Sequence, residues 1–371
     1  MKKYIFGFTL IFFLAGCSST NVSHQESDSN QNYNEPVYSV YLIGDAGAAT
    51  LEPREPVLEV LHTQLMQSGE RSSVIFLGDN VYPDGLPPKG GEKRNQSETR
   101  ILSQLETVED YPGRVVFIPG NHDWNTSGRD GLEWLNRQEE YIESYLDRGN
   151  VFLPDNGLPG PVSVELVTHA DFNIQLVLLD TQWWLHPYDK PLDAGVENEE
   201  DQKHEILQDL KEIVEKNIED EIVVASHHPL FSLGRHGGKF PTSTHFLPPV
   251  FGSIYVAYRN IRGYPQDIAR YDNLKEGLMK SLEEKEGLIY ASGHEHSLQF
   301  IPYQNGQNRQ YQLVSGSASK PSFVKKSSGE NSTYRGEGFI AIRYFRDQTK
   351  RIEFWNESGS IVHQRIIEAD E

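Results

Sequence analysis

The chain has 371 residues, 37% hydrophobic and 24% charged, enough to bury a sizeable core and too apolar for disorder throughout. Its 54 acidic against 34 basic residues give a formal net charge of −20, which repels nucleic-acid phosphates and argues against a nucleic-acid partner. The single cysteine, Cys17, leaves none for disulfides or thiolate metal sites in the rest of the chain.

At the amino terminus Lys2 and Lys3 precede the apolar run Ile5–Leu14. That run is about half the ~20 residues a membrane-spanning helix needs, and residues 1–16 read as an export signal. Leu14-Ala15-Gly16-Cys17, followed by two serines, resembles a bacterial lipobox. The resemblance implies lipidation of Cys17 and a membrane-anchored exported protein, periplasmic or at the cell surface. In a diderm host, Ser18 after the cysteine points to the outer membrane. Residues 18–36 are rich in Ser, Asn and Gln and too polar to order themselves, so 17–36 is expected to be a lipidated tether. Residues 37–371 then form one catalytic domain without internal repeats.

Within that domain apolar runs alternate with helical spacing. Strands are predicted at Val37–Ile43, Val74–Leu77, Val115–Ile118, Val162–Val167, Ile174–Leu179, Ile222–Ala225 and Leu288–Ala291. Helices are predicted at Glu55–Gln67, with Pro53 and Pro56 near its start, and at Gly131–Leu146, Glu199–Lys216 and Asn273–Glu286. Phe231–Tyr271 lacks a period and reads as long functional loops. The last hundred residues carry several short strands, so the pattern is α/β with a β-rich second half.

Five predicted strands run into polar, ligand-type residues: Gly44-Asp45-Ala46-Gly47, Gly78-Asp79-Asn80-Val81-Tyr82, Gly120-Asn121-His122-Asp123, Ser226-His227-His228-Pro229 and Gly293-His294-Glu295-His296. Singly, each is an ordinary turn. Jointly, at the carboxyl ends of strands in an α/β sheet, they can converge on one spot. Their oxygen and imidazole donors suit hard or borderline cations. One carboxylate can bridge two ions at the spacing used for phosphoryl displacement.

This set resembles the calcineurin-like metallophosphoesterases and, more narrowly, the purple acid phosphatases, over about residues 38–320. Gly47 stands where most of the wider superfamily has the histidine of Asp-x-His. Tyr82 stands where the purple enzymes have a phenolate ligand to ferric iron. The strings GDNVYPDG and GHEHSLQF resemble the short, tartrate-resistant type. The resemblance implies a four-layer sandwich of two mixed β-sheets flanked by helices. It implies a first metal held by Asp45, Asp79, Tyr82 and His296 and a second by Asp79, Asn121, His227 and His294, with Asp79 bridging. Fe(III) is expected at the Tyr82 site, and Fe(II), Zn(II) or Mn(II) at the other. His227 is preferred over His228 because it falls in the V-x-x-H slot. His122 and His236 match histidines that grip phosphate and donate a proton. The implied partner is a small phosphate ester, cleaved by hydroxide generated at the metals, with an acidic optimum if a histidine must be charged. The alternatives are a phosphodiesterase or nucleotidase of the same superfamily, or a non-catalytic surface binding protein.

Trp124, after the GNHD motif, and the 239–271 insert depart from the short type and bear on substrate specificity. Asp123 is a candidate brace for His122. Glu295 lies either beneath the ligands or in solvent. Trp183, Trp184, Tyr255 and Tyr258 line a pocket or anchor the core. Lys320 reads as structural or surface.

Overall fold

A computed structural model describes residues 35–168, 173–235 and 265–369, with 265–268 by backbone alone. Cys17, all but the last two residues of the expected tether at 17–36, His236, Tyr255, Tyr258 and most of the 239–271 insert lie outside the described residues.

The first sheet has the strand order β13-β12-β11-β1-β2-β3. Its members are β1 (Tyr38–Ile43), β2 (Ser72–Phe76), β3 (Arg114–Phe117), β11 (Gly338–Tyr344), β12 (Lys350–Asn356) and β13 (Ile361–Ile367). The second sheet has the order β10-β8-β9-β7-β6-β5-β4. It comprises β4 (Val162–Thr168), β5 (Asn173–Leu178), β6 (Glu221–Ser226), β7 (Ile289–Ser292), β8 (Leu298–Asn305), β9 (Asn308–Ser315) and β10 (Ser332–Tyr334). In the first sheet the parallel strands β1-β2-β3 form one side, ending at the edge strand β3, with β11, β12 and β13 antiparallel on the other; in the second, parallel β5-β6-β7-β9 form the centre with antiparallel strands on both sides. Two mixed sheets flanked by helices is the architecture expected.

The central strands are buried on both faces, which is why they read as continuous apolar runs. Alternate residues (Val40 and Leu42, Ile75 and Leu77, Val116 and Ile118) share one core with Leu176, Leu178, Val223, Ala225, Ile289 and Ala291 of the second sheet. The intervening residues Tyr41, Ile43, Val74, Phe76, Val177, Val224 and Tyr290 turn outward to the helices. Those helices are α1 (Pro56–Ser68), α2 (Arg94–Val108), α3 (Gly131–Leu146), α4 (Thr181–Leu185), α5 (Glu199–Lys216) and α6 (Pro265–Ser281). Leu42 is fully buried, and truncating such a residue to alanine costs about 2–5 kcal/mol.

Three elements depart from the sequence reading, the short helix α4 among them, which was not expected. Helix α2 was not expected, because only Ile101, Leu105 and Val108 mark its inner face while the other buried positions are polar: Arg94, Ser97, Ser103, Gln104 and Thr107. Polar side chains satisfied inside the fold erase the apolar period that identifies a helix. Helix α6 begins at Pro265, inside the stretch read as loop, and stops at Ser281 rather than Glu286. Glu283, Glu284 and Glu286 follow directly, and carboxylates are unfavourable at a helix carboxyl terminus.

Candidate metal centre

The carboxyl ends of β1, β2 and β3 from one sheet and β6 and β7 from the other meet at one edge of the sandwich. Backbone bonds stitch them together: Gly44 N to Ser315 O at 2.7 Å, Asp45 N to Gly78 O at 3.0 Å and Gly293 N to His227 O at 3.1 Å. Asp45, Asp79 and His294 each directly follow a glycine, and each lies in the left-handed region, at φ 58°, 54° and 66°. Such a conformation costs a non-glycine residue about 1–2 kcal/mol and persists only where neighbours enforce it. Here it turns three side chains off their strands into one space.

Asp45 is fully buried. Its Oδ1 accepts from the Tyr82 hydroxyl at 2.7 Å, and its Oδ2 accepts from the His294 backbone N–H at 2.8 Å. His296 Nε2 stands 3.1 Å from the Tyr82 hydroxyl and 3.2 Å from Asp45 Oδ1. On the other side Asn121 Oδ1 lies 3.2 Å from His227 Nε2 and 3.1 Å from His294 Nδ1. Those two ring nitrogens are 3.2 Å apart. Asp79 stands between the groups, with Oδ1 3.4 Å from His227 Nε2. The ligand atoms of Asp45, Asp79 and His227 all lie within 4.8 Å of one another.

Local chemistry orients these donors. His227 Nδ1 bonds Leu77 O at 2.8 Å, which turns Nε2 toward the cluster. Burial pushes the Asp79 carboxyl up, but the His227 imidazole and the His122 side chain and backbone N–H overcome it and hold the carboxyl well below its ordinary range. Burial likewise disfavours a charged His227, yet Asp79 and Asp45 hold its pKa above the ordinary histidine value. Burial drives the Tyr82 phenol far upward, and Asp45 and Asp79 add to this. An enclosed space that draws both an imidazole and a phenol toward their protonated forms is one that favours positive charge, and its oxygen and nitrogen donors fit two cations.

The Gly47 position explains an absence. A Cβ placed there would lie 2.6 Å from Asp79 O and 2.7 Å from Val81 N and Tyr82 N. The turn that delivers Tyr82 therefore excludes any side chain at 47.

His122 sits at the rim. Its backbone N–H donates to Asp79 Oδ1 at 2.9 Å, and its Nδ1 bonds Pro83 O. Its Nε2 lies 3.8 Å from Asp79 Oδ2. Asp123 does not brace this ring. Its buried carboxylate accepts from Asn80 N, Asn80 Nδ2, Val81 N, Gly120 N and Gln138 Nε2, at 3.0, 3.1, 3.2, 2.8 and 2.9 Å. It thus joins the second and third motif loops, a role that spacing could not reveal.

Glu295 is fully buried and not solvent-facing; its Oε1 accepts from Ser232 Oγ at 2.7 Å. Trp183 and Trp184 belong to the core, and Trp184 also lines a cavity with Lys203, His204 and Arg270. His228, set aside on sequence, has its Nδ1 2.9 Å from Thr181 Oγ1, and it groups with His227 and His294 within 4.8 Å. Lys320 lies beside the site, its Nζ 3.6 Å from the centroid of the Tyr82 ring. The His-His pair was a readable signal for the first; nothing in the sequence placed the second.

The pattern of calcineurin-like phosphoesterases matches residues 38–298, and that of a prokaryotic membrane lipoprotein lipid attachment site matches residues 1–18. Among solved structures, the chain is similar to GAP50, the anchor in the inner membrane complex of Plasmodium. The two share 16% identity at a TM-score of 0.53, over 89% of this chain and 88% of that one. It is also similar to the purple acid phosphatase PPD1 from yellow lupin (Lupinus luteus) seeds, at 14% identity and a TM-score of 0.50. That match covers 91% of this chain and 54% of the lupin chain. No curated protein sequence is significantly similar. At such identities the shared property is the fold. No helix among the described residues is long and apolar enough to cross a membrane.

Proposed function

The chain belongs to the calcineurin-like phosphoesterases, and from that premise we propose that it is a lipid-tethered, purple acid phosphatase-like hydrolase of phosphate monoesters. The observation that carries this reading is the joining of two donor groups through Asp79. Tyr82, Asp45 and His296 lie on one side, and Asn121, His227 and His294 on the other. Asp45, Asp79, Tyr82 and His296 would hold Fe(III), and Asp79, Asn121, His227 and His294 would hold Fe(II), Zn(II) or Mn(II). Bound cations supply Lewis acidity toward the phosphoryl oxygens and make water a competent nucleophile at mild pH.

The chain's own residues do the rest. The Pro83 carbonyl fixes the His122 ring through Nδ1, so Nε2 is the nitrogen presented toward Asp79 and the open side. Protonated there, it can grip a phosphoryl oxygen or pass its proton to the departing alkoxide. His236 is the second candidate for that role. Asp123 keeps Asn121 and Tyr82 in register by binding both of their loops. The lipid attachment motif at residues 1–18 supports anchorage through Cys17 and export of the domain.

The test is metal analysis of the purified protein together with phosphate release from monoester and diester panels. Two metals per chain with monoester turnover is the expected result. Preference for diesters would move the assignment to a phosphodiesterase of the same superfamily. Bound metals without turnover would favour a binding role.

A further inference from the structure

His122 stands at the rim with 28% of its side chain exposed, and its neighbour Asp123 does not hold it. The residues that follow adopt an unusual conformation. Asn125, Thr126 and Ser127 all lie in the left-handed region, at φ 50°, 50° and 61°. None is glycine, and for a β-branched residue such as Thr126 this conformation is an outlier. Such strain persists only where the surrounding structure over-determines it, and it collects at functional sites.

The start of α4 clamps this turn at both ends. Before it, Trp124 is fully buried and its Nε1 donates to Asp180 Oδ2 at 2.9 Å. At its far end, Ser127 Oγ accepts from Gln182 Nε2 at 2.7 Å. Asp180 Oδ1 accepts from Gln182 N and Trp183 N at 2.8 and 3.0 Å, so both clamps belong to one capped helix start. Gly128 N closes the turn on Asn125 O at 2.8 Å. Held in this way, Thr126 meets the loop that binds His122. Its hydroxyl donates to Asp84 Oδ1 at 2.9 Å and faces Pro83 O at 3.0 Å. Its oxygen lies 3.4 Å from His122 Nδ1, which itself bonds Pro83 O. A carboxylate is the stronger acceptor, so the hydroxyl hydrogen goes to Asp84 and the oxygen turns lone pairs toward Nδ1. Pro83 O and Thr126 Oγ1 are then two acceptors about one ring nitrogen, and only Nδ1–H satisfies them.

We propose that Thr126 is a positioning residue for His122: the strained turn places its hydroxyl so that Nδ1 keeps its hydrogen and Nε2 stays aimed at the reacting phosphoryl group. The consequence for turnover rests on the phosphoesterase reading; the orientation of the ring does not. Thr126 acts through the Pro83–Asp84 loop and the His122 ring, and the strain at 125–127 is what that placement requires. A ring free to turn offers Nε2 in the productive geometry only part of the time. Alkoxide leaving groups, which need a proton as they depart, lose most from such freedom, and aryl oxides lose least.

The test uses the full chain loaded with diamagnetic zinc and the variants Thr126→Val, Thr126→Ser and Thr126→Gly. Long-range ¹H–¹⁵N spectra of the histidine rings in alkaline buffer, with His122→Ala to assign the signal, report which nitrogen carries the hydrogen. Wild type should show Nδ1–H alone, and Thr126→Val, which keeps the branched shape without the hydroxyl, should show both tautomers. In Thr126→Val and Thr126→Gly, kcat for an alkyl phosphate should fall about tenfold relative to that for an aryl phosphate, less than for loss of the ring itself. Metal content should stay unchanged, and Thr126→Ser should restore most of the rate. Thr126→Gly should melt above Thr126→Val, because glycine takes the left-handed conformation without strain. Stability then follows the backbone while turnover follows the hydroxyl. Thr126→Val with Nδ1–H alone and the wild-type alkyl-to-aryl ratio overturns the proposal. So does loss of metal from both the valine and the glycine variant, or a glycine variant that melts below the valine one. Should Thr126→Val mix the tautomers while wild type binds metal yet releases no phosphate from any ester, the positioning stands and the phosphoesterase reading fails.

Discussion

Gly47 and Tyr82 are locked together. Gly47 N donates to Asp79 O at 3.0 Å, Tyr82 N donates to Gly47 O at 2.9 Å, and a Cβ at 47 would meet Tyr82 N at 2.7 Å. The missing first-motif side chain and the tyrosine four residues into the second motif are thus one structural feature. Space for the backbone that carries Tyr82 comes from the atom that Gly47 lacks.

Gly47→Ala is expected to lower stability by about 1–3 kcal/mol, the usual range for overpacking, because the three nearest atoms it would meet are all backbone. Since the displaced backbone carries Tyr82, metal content should fall with it. Thermal melting and metal analysis of the variant check this; a stable variant with full metal content would break the link between the two positions.

Tyr82→Phe removes the hydroxyl that donates to Asp45 Oδ1 at 2.7 Å. Under the ferric assignment it should bleach the visible charge-transfer band of iron-loaded protein and reduce metal retention. An iron-loaded wild type without such a band would sink the ferric–phenolate assignment and leave the hydrolase assignment intact.

The histidines should divide into two classes. His227, His294 and His296 face the donor groups, and replacing His294 or His296 by alanine should remove metal and activity together. His122→Ala and His236→Ala should keep metal and colour while rates fall roughly 10²- to 10⁴-fold, the range for losing a general acid. The loss should be larger for alkyl than for aryl phosphates, whose leaving groups need less protonation. Full activity of His236→Ala on an alkyl ester would remove that residue from the mechanism.

His186 gives a pH dependence separate from the cluster. It is buried, it packs 4.7 Å from Trp124 between ring centroids, and neither ring nitrogen has a hydrogen-bond partner among the described residues. Burial, then the Lys190 and Arg270 charges, hold its pKa down to about 4. The unfolded chain, titrating at about 6.5, binds the proton first, so stability is full above that pH and falls as pH drops toward 4. The slope from this residue is about 1.4 kcal/mol per pH unit. His186→Phe should flatten that part of the acid-melting profile; an unchanged profile would show that the acid response lies elsewhere.

Cys17→Ala should release the protein from the membrane fraction while leaving phosphate release unchanged. Unaltered fractionation of the variant would count against lipidation of Cys17.

Much of the fold was legible because it depends on local chemistry. Strands buried on both faces are continuous apolar runs, and side chains that leave a strand end through glycine and Asp, Asn or His announce themselves one loop at a time. The donor types, their order and the pairing of Gly47 with Tyr82 are properties of the linear chain. So are the polar, Ser- and Asn-rich stretch at residues 18–36 and the lipid attachment motif. Tertiary structure alone decided what depends on register between distant segments. It made Asp123 the acceptor for two loops rather than a brace for its neighbour His122, and it buried Glu295, Trp183 and Trp184. It also set Lys320 over a ring that belongs to another sheet edge. A single-residue shift in a strand reverses the side chains, so where the ends of two different sheets meet is fixed by the packing of the sandwich and leaves no periodic mark in the sequence.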